Sequence, residues 1–367
     1  MIDKMVSNGV SYFGWNARKR ILEEIKGKGF KKVLLVISQE VNDGVLGNNL
    51  SIFLDDNDIL FDSLVYKDED YKSFVKKGTR LLNKHHSDVI LVIGDDKIID
   101  SAKMMGIIFN NDEFKNIDNI NGKIAFKNSS LPVIMLPTVI GARFGSGLTL
   151  IDDLVFNYDD AMPYVSIFDY ELIGSMQSSR LLYSLLASLV NSCESYLNSS
   201  FLIDSFNSKK SIELLYNNLE KALNKEKDGL ENATIGDYLS YISFNKNNIG
   251  FVIAKNISSF YDLDVNLVEA ILLPYLFIYY KDNDKLRDIC DVCGYKTGQI
   301  ILSEVYERLT INFRELLNRL NIPKNLKNCR KNDDEFDIIL SSILEDTCLK
   351  DVEVSYDGVL KILKQIL

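Results

Sequence analysis

The sequence predicts two domains, an α/β domain built on a parallel sheet and an all-helical domain that follows it. Between residues 1 and 168, short apolar runs of strand length alternate with amphipathic helical patterns. This alternation is typical of a parallel α/β sheet. After Phe168 the strand signals almost vanish and long helical patterns dominate. We therefore predict a parallel-sheet domain over residues 1–168 and a helical domain over residues 169–367.

The clearest strand–turn–helix unit lies at residues 89–103. Residues 89–93 form an unbroken apolar run, which predicts a parallel strand buried on both faces, and Gly94 ends it. A helical pattern follows at once. In open α/β sheets, ligands bind at the carboxyl ends of strands, and a helix N-terminus favours anions. This turn is the expected place for a phosphate, yet it carries Asp95 and Asp96, whose charges would repel a pyrophosphate.

The other elements of the first domain follow the same pattern. Gly27 is a suitable stop for the helix before it, and Pro137 closes a short strand. Residues 110–128 are polar and predict a surface excursion. Strands are predicted over residues 10–16, 33–37, 59–66, 133–136, 148–151 and 165–168, and helices over residues 17–26 and 71–84.

The second domain is predicted to contain only helices. The middle of the first helix is apolar on nearly every face, which predicts a helix buried in the domain core. Helices are predicted over residues 178–198, 208–225, 235–258, 266–280, 282–294, 296–320, 334–346 and 356–367.

Composition excludes several classes of protein. A formal net charge of −10 argues against a nucleic-acid surface. No apolar run is long enough to span a membrane, so no membrane association is expected. The five cysteines are scattered and the N-terminal residues lack the apolar core of a signal peptide, which predicts reduced thiols and a cytoplasmic location.

Histidine usage restricts the chemistry further. The chain has two histidines, His85 and His86, which are adjacent in a polar stretch between a helix and a strand. Histidine is the usual metal ligand and general base near neutral pH. The sequence therefore excludes a site built on several histidines and argues against a Ser-His-Asp arrangement.

Short motifs in both domains resemble the iron-containing alcohol dehydrogenase family, which includes glycerol dehydrogenases. The matching segments are Tyr12-Phe13-Gly14, Asp100-Ser101-Ala102-Lys103, Leu136-Pro137-Thr138 with Gly141, Phe168-Asp169-Tyr170-Glu171-Leu172, Glu194-Ser195-Tyr196 and Ala270-Ile271-Leu272-Leu273-Pro274. The resemblance covers almost the whole chain. It implies a Rossmann-like dinucleotide-binding domain, a helical metal and substrate domain, and the architecture shared with dehydroquinate synthase.

The resemblance also shows where the metal ligands would fall. The family takes an Asp and a His from its first core helix, and two more His from a later helix and the turn after it. Matched to this chain, those positions are Ala187, Asn191, Phe251 and Val265. Three of these side chains offer no donor atom, and one Asn cannot hold a divalent ion alone. We therefore expect no iron or zinc there.

The dinucleotide motif departs from the family pattern as well. Its Gly-Gly-Gly-Ser turn corresponds to Gly94-Asp95-Asp96-Lys97, and the acidic residue expected on the ribose corresponds to Ser38. The Thr-Gly-Ser on the nicotinamide side corresponds to Ala142-Arg143-Phe144, two of which are bulky. The residues left as candidates for cofactor binding are Ser38, Gly94, Lys97 and Thr138. We expect no cofactor, with NAD(P) as the alternative.

Several polar residues have both a functional and a structural interpretation. Lys255, at the second His of the family's His-x-x-x-His pair, is a candidate proton donor, or it forms a buried ion pair with Glu194 or Asp264. Arg143, Phe144 and Glu194 are the residues expected to line the cleft. Arg143 and Phe144 bind an anionic or aromatic ligand there, or they fill the space of the nicotinamide.

Two weaker motifs complete the set. Asp262 and Asp264 could hold Mg²⁺ or Ca²⁺, but two carboxylates are few, and an exposed turn is the simpler interpretation. Cys290 and Cys293 have the Cys-x-x-Cys spacing, but without a second pair they predict core-facing thiols on a helix.

Three functions remain open from the sequence. The first is a pseudoenzyme that no longer performs metal-dependent alcohol oxidation and binds a small-molecule ligand or a protein partner. The second is a metal-independent NAD(P)-dependent oxidoreductase with Lys255 as proton donor. The third is a non-redox enzyme on a phosphorylated substrate, using Lys97, Arg143 and Lys255. A homodimer is expected, because the family commonly dimerises through its N-terminal strand.

Overall fold

The computed structural model divides the chain into two compact units, Met1–Gln177 and Ser178–Leu367. It describes residues 9–111, 126–141, 148–151, 154–157, 161–244, 247–330, 332, 334–349 and 353–367. The division therefore falls after the last strand and a short helix, whereas the sequence placed it at Phe168. Most of the predicted surface excursion at 110–128 lies outside the described residues.

The first unit is organised around a parallel sheet of six strands in the order β1-β8-β5-β4-β2-β3. Its strands are β1 Val10–Gly14, β2 Lys32–Ser38, β3 Leu60–Tyr66, β4 Val89–Gly94, β5 Val133–Pro137 and β8 Val165–Asp169. Every neighbouring pair is parallel, which confirms the predicted sheet. The predicted strand at 148–151 (β6) lies outside this sheet and pairs antiparallel with β7, Leu154–Asn157.

Helices connect these strands. They are α1 Arg20–Gly27, preceded by a 3₁₀ turn at Ala17–Lys19, α2 Gln39–Asp43, α3 Val45–Asp55, α4 Tyr71–His85, α5 Asp96–Asn110 and α6 Tyr170–Gly174. The sequence pattern does not predict α2, α3 or α6. In α3 the residues Gly47, Asn48 and Asn49 have low helix propensity, and the helix is held by its buried residues Leu50 and Leu54 in the core cluster.

Strand order determines where a ligand crevice forms in this unit. The chain passes from β2 outward to β3, but from β4 it passes the opposite way to β5. Because such crossovers are right-handed, their helices lie on opposite faces of the sheet. The crevice therefore opens between β2 and β4 at their carboxyl ends, where Ile37 pairs with Ile93, and Ser38 and Gly94 follow.

The described residues of the second unit form helices and their connections and no strand. Its helices are α7 Ser178–Asn198, α8 Leu202–Leu223, α9 Lys227–Ile242, α10 Ile249–Tyr261, α11 Val265–Leu276, α12 Leu286–Val292, α13 Leu302–Arg319, α14 Asp334–Leu344 and α15 Tyr356–Ile366. As predicted, α7 is a core helix, buried along most of its length and packed against α8, α9, α10 and α11.

One helix prediction in this unit is wrong. The sequence pattern predicts a single helix over residues 235–258, but α9 ends at Ile242 and α10 begins at Ile249. The connection contains Ser243, Asn245, Asn247 and Asn248. Ser and Asn side chains compete for backbone hydrogen bonds and favour caps and turns over helix interiors. This break allows the N-terminus of α10 to face α7.

Among the helices that the structure describes, none combines the length and hydropathy that a membrane span needs.

Candidate functional site

The helical unit carries the positions that the family resemblance matches to metal ligands. Ala187 and Asn191 lie on α7, Phe251 lies on α10, and Val265 is the first residue of α11. Ala187, Asn191 and Phe251 are buried, each with at most 1% of its surface exposed. Val265 is half-buried.

Aromatic rings connect two of these positions. The Asn191 amide nitrogen lies 3.4 Å from the hydroxyl of Tyr241 and donates to it. Tyr241 packs on Phe244, with ring centroids 6.0 Å apart, and Phe244 meets Phe251 edge to face at 5.3 Å. We call Tyr241, Phe244 and Phe251 the aromatic cluster. It is an apolar environment with a single amide at its margin.

The donor atoms of these positions do not fit a divalent metal. The Asn191 side-chain oxygen is buried and accepts no hydrogen bond from the described residues, so it is one available donor. Ala187, Phe251 and Val265 supply only carbon. Iron and zinc in proteins need three or four N, O or S ligands. Among the described residues, no group of three or more His, Cys, Asp or Glu side chains is arranged to hold a metal ion.

Lys255 forms an ion pair with Asp346, which the sequence does not predict. Its ammonium nitrogen lies 2.6 Å from Asp346, which follows α14, so the predicted pairing with Glu194 or Asp264 is wrong. Asp346 also accepts from the Asn256 amide at 2.9 Å and from the backbone N–H of Cys348 at 2.9 Å. Burial opposes the charge of Asp346, but these hydrogen bonds and Lys255 outweigh it and lower the pKa of Asp346.

Glu194 instead faces the N-terminus of α10. Its carboxyl group accepts from the backbone N–H of Gly250 at 2.8 Å and from the hydroxyl of Tyr280 at 3.0 Å. Asn198 donates in turn to the Tyr280 oxygen at 3.0 Å. A Cβ on residue 250 would lie 2.6 Å from the Glu194 carboxyl oxygen, so glycine permits this approach. Glu194 therefore supplies the acceptor that the first N–H groups of α10 lack.

Burial has a strong effect on the protonation of Glu194. It raises the pKa of Glu194 from an ordinary value of 4.5 to about 8, and the hydrogen bonds from Tyr280 and the α10 backbone offset only part of that shift. Glu194 is therefore mainly protonated at neutral pH. Its contacts are those of a structural group inside the helical unit.

In the α/β unit, Asp95 occupies the N-terminus of α5. It is the N-cap residue, with extended backbone angles of φ −86° and ψ −176°, and its carboxylate accepts from the backbone N–H of Ile98 at 3.3 Å. A helix N-terminus binds a phosphate through the same free N–H groups. The Asp95 carboxylate thus takes the place that an incoming anion would use.

The other candidates for cofactor binding surround this turn. The backbone N–H of Thr138 donates to the carbonyl of Gly94 at 2.9 Å, which brings these two residues together. Lys97 is exposed, and its ammonium group lies 5.6 Å from the centre of the Tyr71 ring. Ser38 caps α2 by accepting from the backbone N–H of Val41 at 3.2 Å.

The remaining residues singled out in the sequence do not form a site among the described residues. Arg143 and Phe144 lie outside the described residues. Asp264 is exposed and caps α11, and Asp262 ends α10 with a positive φ of 54°. Cys290 and Cys293 are buried thiols at the end of α12. Burial raises the pKa of both thiols, which keeps them protonated.

Comparison with known proteins decides the family. The sequence model of the iron-containing alcohol dehydrogenases matches residues 9–170, and that of the family's C-terminal domain matches residues 183–367. The chain belongs to the iron-containing alcohol dehydrogenase family. Members of this family use NAD(P) and iron.

Individual members of the iron-containing alcohol dehydrogenase family align over the full length. Lactaldehyde reductase of Escherichia coli K12 is 24% identical over 365 residues, covering 95% of this chain and 94% of that protein. The structure of an alcohol dehydrogenase from Oenococcus oeni matches with a TM-score of 0.85 at 18% identity, covering 100% of both chains. Sulfoacetaldehyde reductase from Bifidobacterium kashiwanohense, solved with NAD+, matches with a TM-score of 0.85 at 15% identity, covering 99% of this chain and 98% of that chain.

Three residues that determine the contacts of Lys255 and Glu194 are not identified by the sequence. Asp346 pairs with Lys255, and Gly250 and Tyr280 bond to Glu194. These contacts join distant parts of the chain, so no local sequence pattern predicts them. The capping role of Asp95 did have a signal, because Asp directly before an apolar helical pattern is a preferred N-cap.

Proposed function

We propose that this member of the iron-containing alcohol dehydrogenase family does not oxidise alcohols through a bound metal and instead acts by binding a small-molecule ligand or a protein partner. The observation that carries the proposal is the donor set at Ala187, Asn191, Phe251 and Val265. These positions supply one amide oxygen beside an aromatic cluster, where a catalytic ion needs several polar ligands.

The turn at the start of α5 supports the same proposal. A pyrophosphate placed there would meet the carboxylates of Asp95 and Asp96, and Asp95 would have to give up its hydrogen bond to Ile98. Unit charges of like sign at about 4 Å repel by about 4 kcal/mol at the effective dielectric constant near a protein surface. This repulsion disfavours NAD(P) in the family's position.

The two alternative functions gain no specific support. A metal-independent oxidoreductase would need the Lys255 ammonium group to face the substrate, but that group is paired with Asp346 at 2.6 Å. An enzyme of phosphorylated substrates would draw on Lys97 and Lys255, but the first stacks on Tyr71 and the second is neutralised by Asp346.

A titration with NADH and NADPH, followed by nicotinamide fluorescence, tests the cofactor part of the proposal. We expect no saturable binding to the unmodified protein. The double variant Asp95→Gly/Asp96→Gly should gain saturable NADH binding, because it removes two carboxylates and frees the N–H groups of α5.

The matched control removes two charges from the same unit at another place. Asp55 and Asp56 are adjacent and exposed at the end of α3, and the variant Asp55→Gly/Asp56→Gly should leave NADH binding unchanged. Tight NADH binding by the unmodified protein, with alcohol-dependent turnover, would contradict the proposal and favour the oxidoreductase.

A further inference from the structure

A pocket lies in the helical unit between α11 and the end of α13. Its floor is apolar and is formed by Pro274, Leu317 and Ile322, all of which are buried. Its volume is about 240 Å³, which suits a small molecule of a single ring. We call it the Arg314 pocket, after the cation at its rim. None of its residues belongs to the positions matched to the metal ligands or to the dinucleotide turn.

Three polar groups converge on this floor. Arg314 and Asn318 project from successive turns of α13, and Lys324 follows the helix. All three side chains are exposed, and no described residue forms an ion pair with Arg314 or Lys324 or a side-chain hydrogen bond with Asn318. Two cations and one amide thus face the pocket without a partner among the described residues.

Tyr275 holds this arrangement in place. The guanidinium carbon of Arg314 lies 5.3 Å from the centre of the Tyr275 ring, and the Tyr275 hydroxyl donates to the backbone carbonyl of Lys324 at 2.8 Å. The stacking orients the planar guanidinium group, and the hydrogen bond fixes the segment that carries Lys324. Less conformational entropy is therefore lost when a ligand binds.

We infer that the Arg314 pocket binds a small organic anion, in which one carboxylate or phosphate group is attached to a flat apolar body. Arg recognises both groups through two parallel hydrogen bonds, and Lys adds a point charge. The apolar body would cover Leu317 and Ile322. The net charge of −10 repels anions from the chain as a whole, but screening limits that field to about 8 Å at physiological salt, so the two local cations dominate inside the pocket.

Ligand-observed NMR titrations of the full-length protein test this inference. The probes are benzoate, phenyl phosphate, inorganic phosphate and the neutral benzyl alcohol. We expect saturable binding of benzoate or phenyl phosphate that weakens as salt is raised, and at least about tenfold weaker binding of inorganic phosphate and benzyl alcohol, which lack one half of the recognised chemistry. Preference between the first two probes identifies carboxylate or phosphate as the preferred group.

Variants distinguish binding in the Arg314 pocket from nonspecific electrostatic attraction to the protein. Arg314→Gln should weaken binding by about tenfold and Lys324→Gln by about threefold or more, without a change in melting temperature. The control is Arg319→Gln, on the same helix, because Arg319 lies outside the pocket and pairs with Glu220 at 3.4 Å.

The outcomes are decisive in both directions. Binding that is lost in Arg314→Gln and kept in Arg319→Gln supports the inference. Equal binding by all three variants, or no saturable binding of any anionic probe, overturns it. The pocket residues are separate from the metal and dinucleotide positions, so this result does not depend on whether the protein binds a metal or NAD(P).

Discussion

Replacing Glu194 with alanine is expected to lower the free energy of unfolding by about 3 kcal/mol or more, because the change leaves several buried groups without a partner. The backbone N–H of Gly250 and the hydroxyl of Tyr280 would both lose their acceptor. Denaturant unfolding near pH 6 measures the effect. Tyr280→Phe is the milder comparison, since it removes one hydroxyl, which donates to Glu194 and accepts from Asn198, and it should cost about 1 to 2 kcal/mol. A loss below 1 kcal/mol for Glu194→Ala would contradict this description.

The same carboxyl group predicts a pH dependence with a definite sign. Its pKa rises from 4.5 to about 8 on folding, so the folded chain holds a proton that the unfolded chain releases between these values. The contribution of Glu194 to stability is therefore complete below pH 4.5 and is lost as the pH rises through 8. Glu194→Gln cannot titrate and should flatten the stability profile between pH 5 and 8 relative to the unmodified protein. Parallel profiles would argue against the raised pKa.

Replacing Asp346 with alanine is expected to cost about 3 to 5 kcal/mol, because Lys255 would remain as a buried charge without its partner. The Lys255 side chain is 14% exposed and that of Asp346 is 5% exposed, so water can compensate little of the loss. Thermal and denaturant unfolding measure the change.

A double-mutant cycle isolates the pair. Lys255→Met/Asp346→Leu should be less destabilised than the sum of the two single variants, because both charges are removed together. Recovery will be partial, since Asp346 also accepts from Asn256 and from the backbone of Cys348. Strictly additive effects would show that the ion pair has no coupling energy.

Local patterns in the sequence were sufficient to predict most of the helices and strands. The apolar run before Gly94 predicted β4, and the helical spacing predicted α7 with the bounds 178–198 that the structure has. Prediction failed at two places for different reasons. Helix α3 contains Gly47 and two asparagines and forms through tertiary contacts despite their low helix propensity. Before α10, the predicted helix followed the apolar spacing, but the chain breaks at Ser and Asn residues that disfavour helix interiors.

The types of residue at the candidate site could be predicted from the sequence, but the contacts between them could not. The resemblance assigned Ala187, Asn191, Phe251 and Val265 to the metal positions, and the types of these residues argued against a metal. The partner of Lys255 could not be predicted, because Asp346 comes from a helix end that is distant along the chain. The partners of Glu194 are also distant along the chain. Glu194 was expected near Lys255, but in the structure it contacts Gly250 and Tyr280.

The most direct test of the account is a cobalt(II) titration of the purified protein, followed by absorption spectroscopy and elemental analysis. The donor atoms at Ala187, Asn191, Phe251 and Val265 predict no saturable uptake of the ion. Escherichia coli lactaldehyde reductase, a relative from the same family, serves as the reference. Stoichiometric uptake that is abolished by Asn191→Ala would contradict the account, because it would place a functional metal among these four residues.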